Sequence, residues 1–76
     1  MNVKSWFSSA TDIERAKVAA LADTSVNYLK QLAGYHRNPS RHLAERLEAA
    51  TKEVTPDRVV SKYEAVFPEL DESDAA

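Results

Sequence analysis

Glycine occurs once in this 76-residue chain, at Gly34, and β-branched residues nowhere follow the alternating pattern of a strand. Residues that favour helices, such as alanine, leucine, glutamate and arginine, dominate the composition. The sequence therefore predicts an all-α fold. A chain of this length has room for one hydrophobic core. We expect a compact five-helix domain over residues 1–68 and an acidic disordered tail over 69–76.

Five residues have the side chain and the sequence context of a helix N-cap. Thr11 is followed three residues later by Glu14, which is the pattern of a capping box. Thr55 precedes Pro56, a residue favoured at the first helical position. Gly34 is placed to end a helix in the left-handed conformation. The predicted starts are Asn2, Thr11, Ser25, Ser40 and Thr55.

Apolar residues recur at helical spacing in each predicted helix and indicate its buried face. The segment Val59–Phe67 is ambiguous, because its β-branched residues would also tolerate an edge strand. We expect the core to contain Val3, Trp6, Phe7, Ile13, Val18, Ala19, Leu21, Ala22, Leu29, Leu32, Leu43, Ala44, Leu47, Ala50, Val59, Val60 and Tyr63, with Val66 and Phe67 as further candidates.

The formal net charge is −2, but the charge is unevenly distributed. Through Val54 there are eight Lys/Arg and six Asp/Glu, whereas from Thr55 onward there are two and six. Because the local field at a surface matters more than the total charge, the acidic tail does not exclude an anionic partner. The chain has no cysteine, no apolar run near the roughly 20 residues of a membrane span, and no signal-peptide core. We expect a cytoplasmic protein.

The stretch Ala16–Ser40 has the spacing of two helices joined by a sharp corner. Ala19 is small enough for a second helix to cross closely, and Asp23 falls where the chain must turn. Aspartate tolerates the left-handed region better than most residues, although less easily than glycine. Leu29 and Leu32 follow Ala19 by ten and thirteen residues and would hold the second helix on the core. This spacing predicts a helix-turn-helix, whose second helix enters the major groove of DNA.

The run TSVNYLKQLAGYHRNPSRHLAERLEAAT resembles the helix-turn-helix of Cro/C1-type phage and prophage repressors, especially small YdaS-like regulators. In that group an MxLKxYL-like helix precedes the motif and a VTPxxL-like segment follows it; here the matching stretches are MNVKSWF and VTPDRV. The resemblance covers about Met1–Tyr63 and departs at Asp23, where glycine is usual. It implies a lambda-repressor-like DNA-binding domain, with a strand at its C-terminal end in some Cro proteins.

The resemblance also implies roles for individual residues. Val26 would touch a thymine methyl, and the amides of Asn27 and Gln31 could pair with adenine. The implied base contacts are Val26, Asn27, Lys30 and Gln31, of which Lys30 could reach either a guanine edge or a phosphate. The implied phosphate contacts are Lys17, Ser25, Tyr28, His36, Arg37, Asn38 and Arg41.

One such domain buries too little surface for tight specific binding, so we expect a homodimer, weakly associated without DNA. It would bind a near-palindromic operator whose half-sites lie about one helical turn, roughly 34 Å, apart. Apolar residues beyond what a minimal core needs suggest the dimer surface: Val60, Tyr63, Val66 and Phe67.

Other interpretations remain open from the sequence. The polar residues of the second helix could form a solvated face, and Arg37 and Arg41 could form surface salt bridges with Glu45 or Glu48. A protein-interaction module, such as an antitoxin-like component, is the main alternative function. We expect no enzyme, no cofactor, no small-molecule substrate and no metal site, because no nucleophile–base arrangement, glycine-rich loop or ligand cluster is present.

Overall fold

The computed structural model describes residues 1–34 and 37–67. Within these ranges the chain forms five helices and no strand, so the predicted all-α class is confirmed. None of these helices is long and apolar enough to cross a membrane. The acidic tail predicted for 69–76 lies outside the described residues. The helices are α1 (Val3–Ser9), α2 (Asp12–Leu21), α3 (Val26–Ala33), α4 (Arg41–Val54) and α5 (Lys62–Val66).

A side-chain N-cap opens each of these helices. Thr11 Oγ1 accepts a hydrogen bond from the Glu14 amide at 3.1 Å, and Glu14 Oε1 accepts one from the Thr11 amide at 2.9 Å. This is the predicted capping box. Asn2, Ser25 and Ser40 cap α1, α3 and α4, which confirms those predicted starts as well. A cap and its partner lie within one turn, so the local sequence is sufficient to predict them.

The fifth predicted start, at Thr55 and Pro56, is wrong. Thr55 ends α4, and the Arg58 amide donates to the Thr55 carbonyl at 2.8 Å to close a turn. The Thr55 hydroxyl is buried, where it accepts a hydrogen bond from Trp6, and it does not cap a new helix. The last helix begins instead after its cap Ser61. Residues 59–67 are therefore neither the long helix nor the edge strand considered from the sequence.

Helix α4 packs against α2 and α5, while α3 packs against α1 and α2. These contacts enclose one hydrophobic core, and most of its predicted members are buried there. Phe7 and Val66 pack at its margin, half-buried. The buried core residues are Val3, Trp6, Ala10, Val18, Ala19, Ala22, Leu29, Leu32, Leu43, Ala44, Leu47, Ala50, Val60 and Ala65.

Two predicted core residues of α2 are exposed instead. Ile13 is 68% exposed and Leu21 is 55% exposed. The buried positions around α2 are Val18, Ala19 and Ala22, whose small side chains allow α3 and α4 to approach closely. Ile13 and Leu21 fall outside this buried stripe of α2. Helical spacing identified the helix but did not determine which side its neighbours would cover.

A second correction concerns the end of α3. Gly34 has φ −85° and ψ 2°, so it does not adopt the predicted left-handed conformation. Its amide donates to the Lys30 carbonyl at 3.0 Å, which continues the helical hydrogen-bond pattern by one residue. The exit from α3 is therefore right-handed, and the single glycine of the chain is not used for a positive φ.

Two buried threonines connect the ends of the chain to α4. Trp6 Nε1 donates to Thr55 Oγ1 at 2.9 Å, which joins α1 to the last turn of α4. Thr51 Oγ1 accepts from the Val60 amide at 3.0 Å and donates to the Leu47 carbonyl at 2.8 Å. Each hydroxyl acts as donor and acceptor at once, so these polar groups are satisfied inside the core.

Arginines connect the surface loops around this core. Arg58 Nη2 lies 2.8 Å from Glu14 Oε2, and Arg58 Nη1 donates to the Ser9 carbonyl at 3.1 Å. The pKa of Glu14 is lowered, first by the hydrogen bond from the Thr11 amide and then by Arg58. Glu14 therefore remains ionised and links the start of α2 to the turn after α4.

Replacing Thr55 by valine keeps the shape of the side chain but removes the acceptor for Trp6. We expect the free energy of unfolding to fall by about 1–3 kcal/mol, because a buried indole N–H is left unpaired. Denaturant unfolding followed by the fluorescence of Trp6, the one tryptophan, measures the change. Thr55→Ser, which keeps the hydroxyl, is the matched control. A wild-type free energy of unfolding in Thr55→Val would contradict the role of the hydrogen bond, and a loss in Thr55→Ser alone would assign the stabilisation to the methyl contacts.

Candidate nucleic-acid interface

The corner between α2 and α3 is built by backbone hydrogen bonds and a left-handed residue. Asp23 has φ 56°, which confirms the conformation predicted for it. The Thr24 amide donates to the Ala19 carbonyl at 2.8 Å, and Arg46 of α4 donates from Nε to the Ala22 carbonyl at 2.9 Å. The last carbonyls of α2 are thus satisfied by the corner itself and by α4. These contacts fix the direction in which α3 leaves α2.

Helix α3 has one buried side and one exposed side. Leu29 and Leu32 are fully or almost fully buried, as predicted. Val26, Asn27 and Lys30 are exposed. Because residues four apart on a helix lie on the same side, Asn27 and Gln31 are neighbours on the surface. The residues expected to contact bases therefore share one face of α3, although Gln31 is half-buried.

The first turn of α3 is organised by Ser25. Its hydroxyl oxygen accepts a hydrogen bond from the Tyr28 amide at 3.0 Å and therefore acts as the N-cap. The hydroxyl hydrogen is still available to donate to an external acceptor such as a phosphate oxygen. Tyr28 itself is half-buried against the core, and the structure shows it there as a packing residue.

A shallow depression between α1 and α3 includes a cation that the sequence reasoning missed. Lys4 and Ser8 of α1 line it together with Asn27, Lys30 and Gln31 of α3, and Ala33 and Gly34 complete its described lining. No acidic residue is among these. Lys4 and Ser8 are four residues apart, opposite the buried Val3 and Trp6, so their shared outer face could have been inferred. Only the packing of α1 on α3 places that face beside Lys30.

The segment after α3 brings a further cation to the same helix. Arg37 Nε donates to Gln31 Oε1 at 3.2 Å, so these two predicted contact residues are in direct contact. Asn38 is exposed, and His36 lies outside the described residues. Arg41 pairs with Glu45 at 3.4 Å, one of the surface salt bridges considered from the sequence. With an Arg41 side chain 89% exposed, this pair contributes little to stability and leaves the guanidinium accessible.

Lys17 is not brought to this surface. It lines a different depression, with Ala20 and Leu21 of α2 and Glu53 and Val54 of α4. The neighbouring carboxylate of Glu53 makes that depression electrostatically mixed. The residues that the described structure does collect around α3 are Lys4, Asn27, Lys30, Gln31 and Arg37.

A second concave surface lies between α4 and α5. Tyr63 and Phe67 are exposed there, and Lys62 Nζ lies 5.4 Å from the centroid of the Tyr63 ring. Val60, which was predicted for the dimer surface, is only 1% exposed and belongs to the core, because its amide is bonded to Thr51. The prediction is wrong for that residue. The groove is lined by Pro39, Arg41, Ala44, Glu45, Lys62, Tyr63, Val66 and Phe67.

Comparison of the chain with protein-family models, with curated proteins and with solved structures finds no match. The similarity to Cro/C1-type repressors therefore stays a prediction from the sequence. The function must be argued from the residues and geometry of this chain.

Replacing Asp23 by glycine tests the corner. Because glycine adopts a positive φ without steric strain, we expect the free energy of unfolding to stay equal or to rise by up to about 1 kcal/mol. Asp23→Val should lower it by about 1–2 kcal/mol, since a β-branched residue is strained at φ 56°. Denaturant unfolding of both variants measures the difference. A clear loss in the glycine variant would mean that the carboxylate, and not the backbone conformation, stabilises the corner.

Proposed function

We propose that this chain is a sequence-specific DNA-binding transcriptional regulator, a Cro-like repressor that acts in the cytoplasm by binding alone. In this proposal α2, the corner and α3 act as a helix-turn-helix, and α3 enters the major groove. The observation that supports it most directly is the two-sided character of α3. Leu29 and Leu32 are buried, while Asn27 and Lys30 face outward beside Lys4 of α1.

The dimensions of this surface suit duplex DNA. A helix with its side chains is about 10–12 Å across, close to the roughly 12 Å width of the major groove. Three cations, Lys4, Lys30 and Arg37, lie on or beside the exposed face of α3. The negative total charge of the chain does not oppose this arrangement, because Lys/Arg outnumber Asp/Glu eight to six through Val54 and the excess of acids lies after it.

Each part of the surface has a distinct task in the proposal. Asn27 has the amide that pairs with adenine, and the exposed Val26 suits a thymine methyl. Ser25 donates its hydroxyl hydrogen, and the free amides of the first turn of α3 add further donors to a phosphate. Lys4 and Lys30, which line the same depression, neutralise phosphates beside the helix and so set its register.

The partner for tight binding is a second copy of the chain. The groove between α4 and α5 exposes Tyr63 and Phe67 beside the half-buried Val66, and its rim contains both cations and the carboxylate of Glu45. A surface with both charges can be complementary to itself across a two-fold axis. A dimer formed there would present two copies of α3 to a near-palindromic operator.

Lys4→Ala and Lys30→Ala test the DNA surface. Each variant should weaken binding to duplexes from a random-sequence pool, and each should reduce the slope of log affinity against log salt by about 0.9. The physical reason is that one fewer phosphate is neutralised and one fewer counterion is released. Fluorescence anisotropy with labelled duplex at several salt concentrations gives both quantities.

Lys52→Ala is the matched control, since Lys52 is also exposed but lies in the last turn of α4. If the Lys4 and Lys30 variants bind duplex DNA with the affinity and the salt dependence of the wild type, the DNA surface lies elsewhere on the chain. A wild-type chain that shows no salt-dependent binding to duplex DNA would contradict the whole proposal and favour the protein-interaction module.

Phe67→Asp tests the dimer surface. Phe67 is 50% exposed and apolar, so a carboxylate there should shift the monomer–dimer equilibrium toward monomer at least tenfold by desolvation and lost contact area. Sedimentation equilibrium over a concentration series, with and without duplex, measures this. Ile13→Asp is the matched control, because Ile13 is also apolar and exposed but lies outside the groove. Unchanged association of the Phe67 variant would remove this groove as the interface.

A further inference from the structure

Gln31 and Arg37 are joined by a hydrogen bond beside the exposed face of α3. An arginine side chain can only donate hydrogen bonds, so the oxygen of the Gln31 amide must be the atom that faces Arg37 Nε. The amide is thereby turned in one direction, with Oε1 toward the guanidinium. Its Nε2 group, which has two donor hydrogens, is left to point away from Arg37.

The contact also determines what Arg37 has left to offer. The bond to Gln31 uses Nε, and the two Nη groups at the end of the planar fork remain for another acceptor. Arg37 is an exposed residue. Together the two side chains present a set of donors and one positive charge at the end of the α3 face that holds Asn27.

We propose that Gln31 and Arg37 act as one unit that reads guanine in the major groove. This inference rests on the proposed DNA-binding function and names the base preference at one position of its site. Guanine presents two acceptors there, N7 and O6, which match the donors of the pair. Adenine presents one acceptor, N7, and one donor, the N6 amino group. The positive charge of the guanidinium disfavours that donor. Gln31 Oε1, which would accept a hydrogen bond from the N6 amino group, is already bonded to Arg37.

The pairing with adenine implied for Gln31 by the family resemblance is therefore replaced. A glutamine alone pairs with adenine by using both its oxygen and its nitrogen. Here Arg37, from the segment after α3, binds Gln31 Oε1. The two side chains together then offer donors to a base instead of one donor and one acceptor. Asn27, four residues earlier, is exposed and keeps the adenine pairing in this proposal.

The test begins with a duplex selected by the wild-type chain from a random-sequence pool. Each base pair of the half-site is then substituted in turn, and affinities are measured for wild type, Gln31→Ala, Arg37→Ala and the double variant. We expect one guanine position at which either single variant loses roughly 5- to 150-fold of discrimination. The double variant should lose little more than one single variant, because the two residues act together.

Three further measurements separate base reading from phosphate contact. Replacing that guanine by 7-deazaguanine, which lacks the N7 acceptor, should reduce wild-type affinity but not that of the double variant. Arg37→Lys keeps the charge without the fork, so it should keep the salt slope and lose the discrimination. Lys52→Ala, at an exposed position in the last turn of α4 outside the proposed DNA surface, is the control and should retain the discrimination.

Two results would overturn the inference while leaving the DNA-binding proposal intact. In the first, Gln31→Ala loses discrimination at an adenine and Arg37→Ala does not, so that Gln31 reads alone. In the second, both variants weaken binding equally on all sequences, so that the pair contacts phosphate only. If selection enriches no sequence because the chain does not bind duplex DNA, the proposed function fails, and the inference fails with it.

Discussion

The buried hydrogen bond from Trp6 Nε1 to Thr55 Oγ1 connects parts of the chain 49 residues apart. It holds α1 against the end of α4, and α1 in turn packs against α3. The position of α3 is therefore set from two sides, by α1 and by the corner at Asp23. In a 76-residue chain with one core, a polar contact of this kind contributes a large share of a small net stability. The face that we propose for DNA depends on it, although neither residue is exposed.

Arginines and lysines have different positions in this structure, and this difference explains how a chain of net charge −2 can have a cationic face. Arg15, Arg46 and Arg58 donate to the backbone carbonyls of Phe7, Ala22 and Ser9, and they are used to close loops and helix ends. The planar fork of arginine suits this task because it bonds more than one acceptor at once. Lys4 and Lys30, whose flexible ammonium groups suit phosphate, line the surface beside α3.

Local signals in the sequence predicted most of this fold. The caps at Asn2, Thr11, Ser25 and Ser40 are correct because each hydrogen bond closes within one turn. Thr55 has an equally good local signal, yet its hydroxyl is taken by Trp6, a partner that no local pattern reveals. The exposure of Ile13 and the position of Lys4 beside Lys30 likewise depend on which helices meet. Sequence reasoning thus found the exposed face of α3 but neither the α1 cation nor the Gln31–Arg37 contact.

The two proposed surfaces are joined through the start of α4. Arg41, in its first turn, follows the segment that contains Arg37 and also lines the groove between α4 and α5. Its pair with Glu45 is weak and its side chain is 89% exposed, so Arg41 can exchange that partner for a phosphate at little free-energy cost. Glu45 would then be released within the groove, where a second copy could supply a cation such as Lys62. Binding of DNA and formation of the dimer would thus favour each other through one exchange of ionic partners, as linkage between two sites requires.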